Sequence, residues 1–232
     1  MLVERELVES RTKAQALIMA GEVTVEGKAV TKSGTLVAEE AAITIAEPPP
    51  FVSRGGLKLD YALNQFQLDV SSKVVADIGA STGGFTDCLL KRGASRVYAI
   101  DVGRGQLDYH LRQDSRVVVM EGVNARYPIA LPEKLDLATI DVSFISVEKV
   151  IPSVARLLKD SGYLLVLIKP QFEAKRQETR RGVIKQPTVH ARVLGRFIAW
   201  MIEHNFRLGG LTASPILGAS GNKEFFALLK LT

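Results

Sequence analysis

The sequence predicts an α/β fold: an open, mostly parallel sheet flanked by helices, preceded by a small α+β unit. Short apolar runs rich in β-branched residues recur at Val74–Ile78, Val97–Ile100, Val117–Met120, Leu135–Ile140 and Tyr163–Ile168. Such runs suit strands buried on both faces of a parallel sheet. Amphipathic helical patterns fall between them, Val147–Leu158 being one. The chain then closes on two strand patterns, Arg207–Ala213 and Glu224–Leu231, joined by a Pro/Gly-containing loop. That ending predicts a terminal hairpin rather than another crossover.

Composition bounds the class. The 232 residues are 47% hydrophobic and 24% charged, as in a soluble globular protein. The single cysteine, Cys88, has no internal disulfide partner, which fits a reducing compartment. The longest aliphatic run, Leu164–Ile168, falls far below the roughly 18 residues of a spanning helix. No signal-peptide pattern is visible, so a cytoplasmic location is expected. His110, His190 and His204 lack ligand spacing, and no metal is expected. The net charge of +5 is uneven: residues 1–50 carry five Lys/Arg against eight Asp/Glu, residues 169–196 eight against two. A basic excess confined to one segment is a candidate phosphate footprint.

The first unit, residues 1–47, reads as αββ. Ser10 is an N-cap candidate, Ala14, Leu17 and Ile18 share a helix face, and Gly21 is a stop. Val23–Val25, a turn at Glu26-Gly27 and Ala29-Val30 suggest a hairpin, and Ala42–Ile45 a further strand. Pro48 to Pro50 mark a linker, taken as residues 48–52, and residues 53–232 form the second unit. Gly55-Gly56 is expected to turn the chain into the first helix of that unit. There Leu59, Ala62, Leu63 and Phe66 form an apolar stripe with Lys58 beside it.

The stretch "VVADIGASTGGFTDCLLKRGASRVYAIDVG" is a strand, a glycine turn, a helix and a second strand ending in Asp101. Glycines at 79, 83 and 84 permit close backbone approach, and Asp101 is placed to meet ribose hydroxyls. A dinucleotide fingerprint would need glycine where Ser81 stands, and a P-loop would need Gly-Lys-Ser/Thr after the turn. S-adenosylmethionine, which carries no pyrophosphate, is the preferred ligand. Its contacts are expected at Asp77, Gly79, Ala80, Ser81, Gly83, Gly84, Phe85 and Thr86 along the turn. Asp101, Val102, Asn124 and Asp141 complete that set.

Further charges fall at strand ends, where open α/β sheets place their chemistry: Asp141 in "LATIDVSF", Lys169 in "LLVLIKPQF" and Glu224 in "GNKEFFALL". With Lys58 they resemble the Lys-Asp-Lys-Glu quartet of the FtsJ-type RNA ribose 2′-O-methyltransferases, in order and in context. The segments "VSRGGLKLDYAL", "DIGASTGGFT", "IDVSFIS", "LIKPQFEA" and "GNKEFF" are similar to the TlyA family, in which an alpha-L RNA-binding domain precedes an FtsJ-type domain. The resemblance covers nearly the whole chain. It implies a class I, Rossmann-like, S-adenosylmethionine-dependent methyltransferase acting on cytidine ribose in ribosomal RNA. In that scheme Lys169 is the base or alkoxide stabiliser, the like charge of Lys58 acts on it, and Asp141 and Glu224 orient and partly neutralise it.

At the other end, "SRTKAQALIMAGEVTVEGKAVTKSG" resembles the alpha-L motif, which implies RNA contacts at Arg11 and Lys13 with Lys28 and Lys32 nearby. Relative to that motif the chain begins inside its first helix, so an incomplete RNA-facing surface is expected. Arg54 is a candidate RNA or interdomain contact. Lys175, Arg176, Arg180 and Arg181 would meet phosphates beside the reactive edge. Two other functions compete. TlyA-like proteins are often labelled hemolysins, but a membrane-active protein would show a long apolar or exposed amphipathic segment. A non-catalytic RNA-binding protein would have no need of all four quartet residues.

Overall fold

A computed structural model describes residues 1–46, 49–174 and 182–231. The chain divides into two compact units, Met1–Pro49 and Pro50–Thr232. In the first, helix α1 (Arg11–Met19) starts where Ser10 Oγ accepts from Lys13 N, and Gly21 follows it at φ +76°. Strands β1 (Val23–Val25), β2 (Lys28–Ala29) and β3 (Ile43–Ile45) form an antiparallel sheet in the order β2-β1-β3. Residues 2–9 form turns and bends rather than the helix the motif resemblance places there, and Glu6 stands at φ +56°. A left-handed residue interrupts a right-handed helix. The unit's small core gathers Leu2, Val8, Ala14 and Val23.

The second unit opens with α2 (Arg54–Gln65) and continues β4 (Val74–Ile78), α3 (Gly84–Lys91), β5 (Arg96–Asp101), α4 (Tyr109–Gln113), β6 (Val117–Glu121) and β7 (Leu135–Ile140). A 3-10 turn at Val147–Lys149 leads to α5 (Ile151–Ala155), then β8 (Leu158–Ile168), α6 (Pro170–Glu173), α7 (Pro187–Glu203), β9 (Phe206–Ala213) and β10 (Phe225–Leu231). The sheet order is β6-β5-β4-β7-β8-β10-β9, parallel from β6 to β8, with β10 antiparallel to both neighbours. The chain reverses its progress across the sheet between β4 and β7, and such a switch point opens a crevice at the carboxyl ends of the strands.

Helices α2 and α3 bury Leu59, Leu63 and Leu89 on one face of the sheet, while α5 and α7 bury Ile151, Val193 and Phe197 on the other. The long helix expected over Val147–Leu158 is shorter and broken. Pro152 is tolerated only in a first helical turn, so the α-helix begins at Ile151, and Leu158 already pairs with Leu135 in the sheet. Gly55 and Gly56 lie inside α2 instead of turning the chain into it. Their missing side chains let the helix approach its neighbours. A Cβ on Gly56 would strike the Phe51 ring, and one on Gly55 would sit 3.4 Å from Phe85.

Candidate active site

Sheet register brings the charged residues together. Phe225 pairs with Ile168 in the antiparallel ladder, so Glu224 and Lys169 are the next residues beyond it on adjacent strands. One strand further, Asp141 N donates to Ile78 O at 2.8 Å, tying the end of β7 to the start of the glycine turn. Lys58 arrives from α2, where it is buried along with Leu59 and Ala62.

The four side chains form two ion pairs. Lys58 Nζ donates to Glu224 Oε2 at 2.6 Å, with the side chains only 11% and 3% exposed. Lys169 Nζ lies 2.7 Å from Asp141 Oδ1 and donates its hydrogen bond to Ser143 Oγ at 2.9 Å. Asp141 Oδ1 is buried and takes no hydrogen bond, so the ion pair leaves a directed acceptor unused. This corrects the sequence expectation in one respect. Glu224 neutralises Lys58, not Lys169, and the charge of Lys58 is therefore compensated locally instead of acting bare on its neighbour.

The cleft beside this group has a volume of about 360 Å³, within the range of small-molecule sites. Its walls include Gly79, Ser81, Asp101, Asn124, Asp141 and Phe144. Gly79 stands at φ +86°, and a Cβ there would collide with the Asp141 carbonyl, so the floor of the cleft has to be bare backbone. Ser81 also adopts a left-handed φ of +49°, at a cost on the order of 1 kcal/mol, and its N–H donates to Asp101 Oδ2 at 2.8 Å. Gly103 N holds the other oxygen at 2.6 Å, which fixes the carboxylate while leaving lone pairs for a ligand. Two carboxylates against one guanidinium, Arg126, make this a poor pyrophosphate site. Asp141 is already paired with Lys169, so Asp101 is left to accept from ligand hydroxyls, and the ribose of S-adenosylmethionine fits that acceptor.

Asp77, Phe85 and Thr86 are buried beneath the turn rather than in the cleft wall. Thr86 Oγ1 donates to Asp77 Oδ2 at 2.7 Å and Thr139 Oγ1 to Asp77 Oδ1 at 3.3 Å, so these groups hold the turn's shape. Burial pushes the Asp77 carboxyl up from the ordinary 3.8 to about 7, with the Asp141 charge adding to it. Gly83 caps α3 at φ +94°, and a Cβ on Gly84 would come within 3.0 Å of Gly56 N, so both serve close packing of α3. Ala80 is buried and Val102 is exposed at the cleft's rim.

Sequence reasoning passed over two residues at this edge. Ser143 takes the Lys169 hydrogen bond, and Phe144 is 91% exposed at φ +64° with its ring 5.1 Å from that of Phe172. Neither is visible in a pattern, because a strained exposed aromatic looks like any Phe after a strand. Arg54 is exposed and donates to Leu217 O at 2.9 Å. Arg11, Lys13, Lys28 and Lys32 are all exposed, and Lys13 lies 3.4 Å from Glu9. Lys175, Arg176, Arg180 and Arg181 lie outside the described residues. Among the described residues no cluster of three or more metal-ligating side chains occurs, and no helix is long and apolar enough to cross a membrane.

The sheet order, the hairpin at its end, and a carboxylate-lined cleft at the switch point define a class I methyltransferase that uses S-adenosylmethionine. Residues 51–231 match the FtsJ-like methyltransferase family and residues 1–43 match the S4 domain; the chain belongs to the FtsJ-like methyltransferases and carries an S4 domain before the catalytic one. It is 46% identical to a Bacillus subtilis protein provisionally named rRNA methyltransferase YqxC, over 97% of this chain and 82% of that one. It is 42% identical to the 16S/23S rRNA (cytidine-2'-O)-methyltransferase TlyA of Mycobacterium tuberculosis, over 99% and 87%. A solved Streptococcus thermophilus structure with a provisional hemolysin label is 43% identical, with a TM-score of 0.78, covering 97% of this chain and 84% of that one.

Proposed function

We propose that this enzyme methylates the ribose 2′-hydroxyl of a cytidine in ribosomal RNA, in the cytoplasm, with ribosomal subunits or their RNA as substrate. The observation that carries the reading is the Lys169 ammonium held between Asp141 and Ser143 where the sheet ends. The names of both relatives point to ribosomal RNA, and that of the Mycobacterium tuberculosis protein to the cytidine 2′-oxygen. When bound, S-adenosylmethionine supplies an electrophilic methyl carbon on a sulfonium sulfur. Gly79, Ser81, Asp101 and Asn124 would hold it in the cleft.

A ribose hydroxyl is a weak nucleophile at neutral pH, and the protein's task is to place it and handle its proton. Lys169 would stabilise the developing alkoxide as the ammonium, or, once that ammonium has released a proton to solvent, take up the hydroxyl proton as the neutral amine, with Asp141 holding the lysine close by its charge. The Lys58–Glu224 pair lies at the same sheet edge, Glu224 lying just beyond the Phe225–Ile168 pairing as Lys169 does on the adjacent strand. Holding the hydroxyl in line with the methyl donor can supply roughly 7–11 kcal/mol of barrier lowering. The exposed Arg11, Lys13, Lys28 and Lys32 of the S4 domain, Arg54, and the basic segment from Lys175 to Arg181 would contact phosphates.

The test is methyl transfer from labelled S-adenosylmethionine to ribosomal subunits and to bare ribosomal RNA. Label is expected on a cytidine 2′-oxygen. Lys169→Ala should lower kcat by about 10²–10⁴-fold while cofactor binding persists. A folded, cofactor-binding protein that labels no RNA, or labels a base atom, overturns the reading.

A further inference from the structure

Glu224 stands immediately before β10, where its carbonyl accepts from Ser214 N at 2.8 Å, and the loop that precedes it packs against its carboxylate. Within that loop Asn222 is buried at 1% exposure. Its Oδ1 accepts from Ile184 N at 2.9 Å and its Nδ2 donates to Gly182 O at 2.9 Å. Both ends of the amide are thus spent on the backbone at Gly182–Ile184, as a strand partner's would be. Ile184 is itself locked in the core, its carbonyl 3.2 Å from His190 Nε2, and the His190 ring meets Phe225 edge-on with centroids 5.6 Å apart.

The backbone of Asn222 holds the rest of the loop. Its carbonyl accepts from Gly218 N at 2.8 Å, closing a tight turn through Gly221 at φ +82°. That turn lays the Gly218 backbone against Glu224: a Cβ on residue 218 would lie within 3.0 Å of the carboxylate carbon. One residue before, Leu217 O is gripped by Arg54, a single turn from Lys58 on α2. The backbone against the Lys58–Glu224 pair is therefore tied, through Asn222, to Gly182–Ile184.

We propose that Asn222 is a positioning residue for methyl transfer, setting Glu224, and through it Lys58, by splicing the loop to Gly182–Ile184. The inference rests on reading the Lys58–Glu224 pair as part of the reacting site. A merely structural amide would change stability and leave the turnover of folded protein alone.

The experiment compares Asn222→Ala, Glu224→Gln and the double variant by kcat on ribosomal RNA, cofactor Kd and thermal midpoint. Asn222→Ala is expected to lower kcat about tenfold or more with cofactor Kd within about twofold. On the Glu224→Gln background the same change should cost less than about twofold more, since residues acting as a unit are not additive. An Asn222→Ala protein with a lower thermal midpoint but wild-type kcat overturns the proposal. So does full additivity in the double variant when Glu224→Gln alone is impaired, and in that case the quartet reading survives. Wild-type kcat in Glu224→Gln removes the quartet reading and this inference together.

Discussion

Lys58 and Glu224, separated by 166 positions in sequence, meet at 2.6 Å with both side chains largely buried. Two charges so buried hold each other in place, but each is costly without its partner. Lys58→Ala and Glu224→Ala should each destabilise the catalytic domain by about 3–5 kcal/mol. The double change Lys58→Met with Glu224→Leu should be less destabilising than either single one and remain inactive. Denaturant melts of the three proteins, with methyl transfer measured on the same samples, check both halves.

Gly79 carries the floor of the cofactor cleft. Gly79→Ala adds a Cβ against the Asp141 carbonyl at a positive φ. The left-handed conformation alone costs an L-residue roughly 1–2 kcal/mol, and the collision displaces the turn. Calorimetric titration should show S-adenosylmethionine affinity reduced by at least about tenfold. Unchanged affinity would place the ligand elsewhere.

The buried Asp77 makes stability depend on pH in the direction opposite to a salt-bridged carboxylate. Its folded value, about 7, lies above the ordinary 3.8. Between those values the folded chain holds a proton that the unfolded chain has lost, so stability falls as pH rises through the window and stays low above it. Asp77→Asn should flatten the pH dependence of stability between pH 4 and pH 7 and leave the protein more stable than wild type at pH 8, by a few kcal/mol at most. Calorimetric melts across that range decide it. A wild-type profile in the variant would mean that Asp77 is charged in the fold.

Phe144 presents an aromatic face to solvent beside the Lys169–Asp141 pair, backed by Phe172. Stacking of a base on such a ring is worth about 1–3 kcal/mol. Phe144→Ala should therefore raise KM for RNA by about 5–150-fold while leaving the thermal midpoint and cofactor affinity near wild type. A loss confined to cofactor binding would count against a substrate contact.

Much of this architecture is legible in the sequence. Val74–Ile78 and Leu135–Ile140 occupy the strands their apolar runs announce, because a residue buried on both faces of a parallel sheet has few alternatives. Ser10 caps α1, since a local hydrogen bond needs only local sequence. Where longer-range packing intervened, the pattern misled. The helical period of Val147–Leu158 was overridden by Pro152 and by the pairing of Leu158 with Leu135. Gly55-Gly56 looked like a turn but serves as a seam between helices.

The sequence by itself determined which chemistry was present: a glycine turn without a phosphate-binding lysine, an acid after the second strand, and four charges at strand ends or beside them. Each is a local property of residue type and spacing. Tertiary structure alone decided who partners whom. Strand order set Lys169 beside Asp141, and the approach of α2 gave Lys58 to Glu224. A fold at φ +64° turned Phe144 outward, and a buried amide at Asn222 became the support of a carboxylate two residues away. Pairing between charges is a matter of angstroms, and only the packed sheet and helices fix distances on that scale.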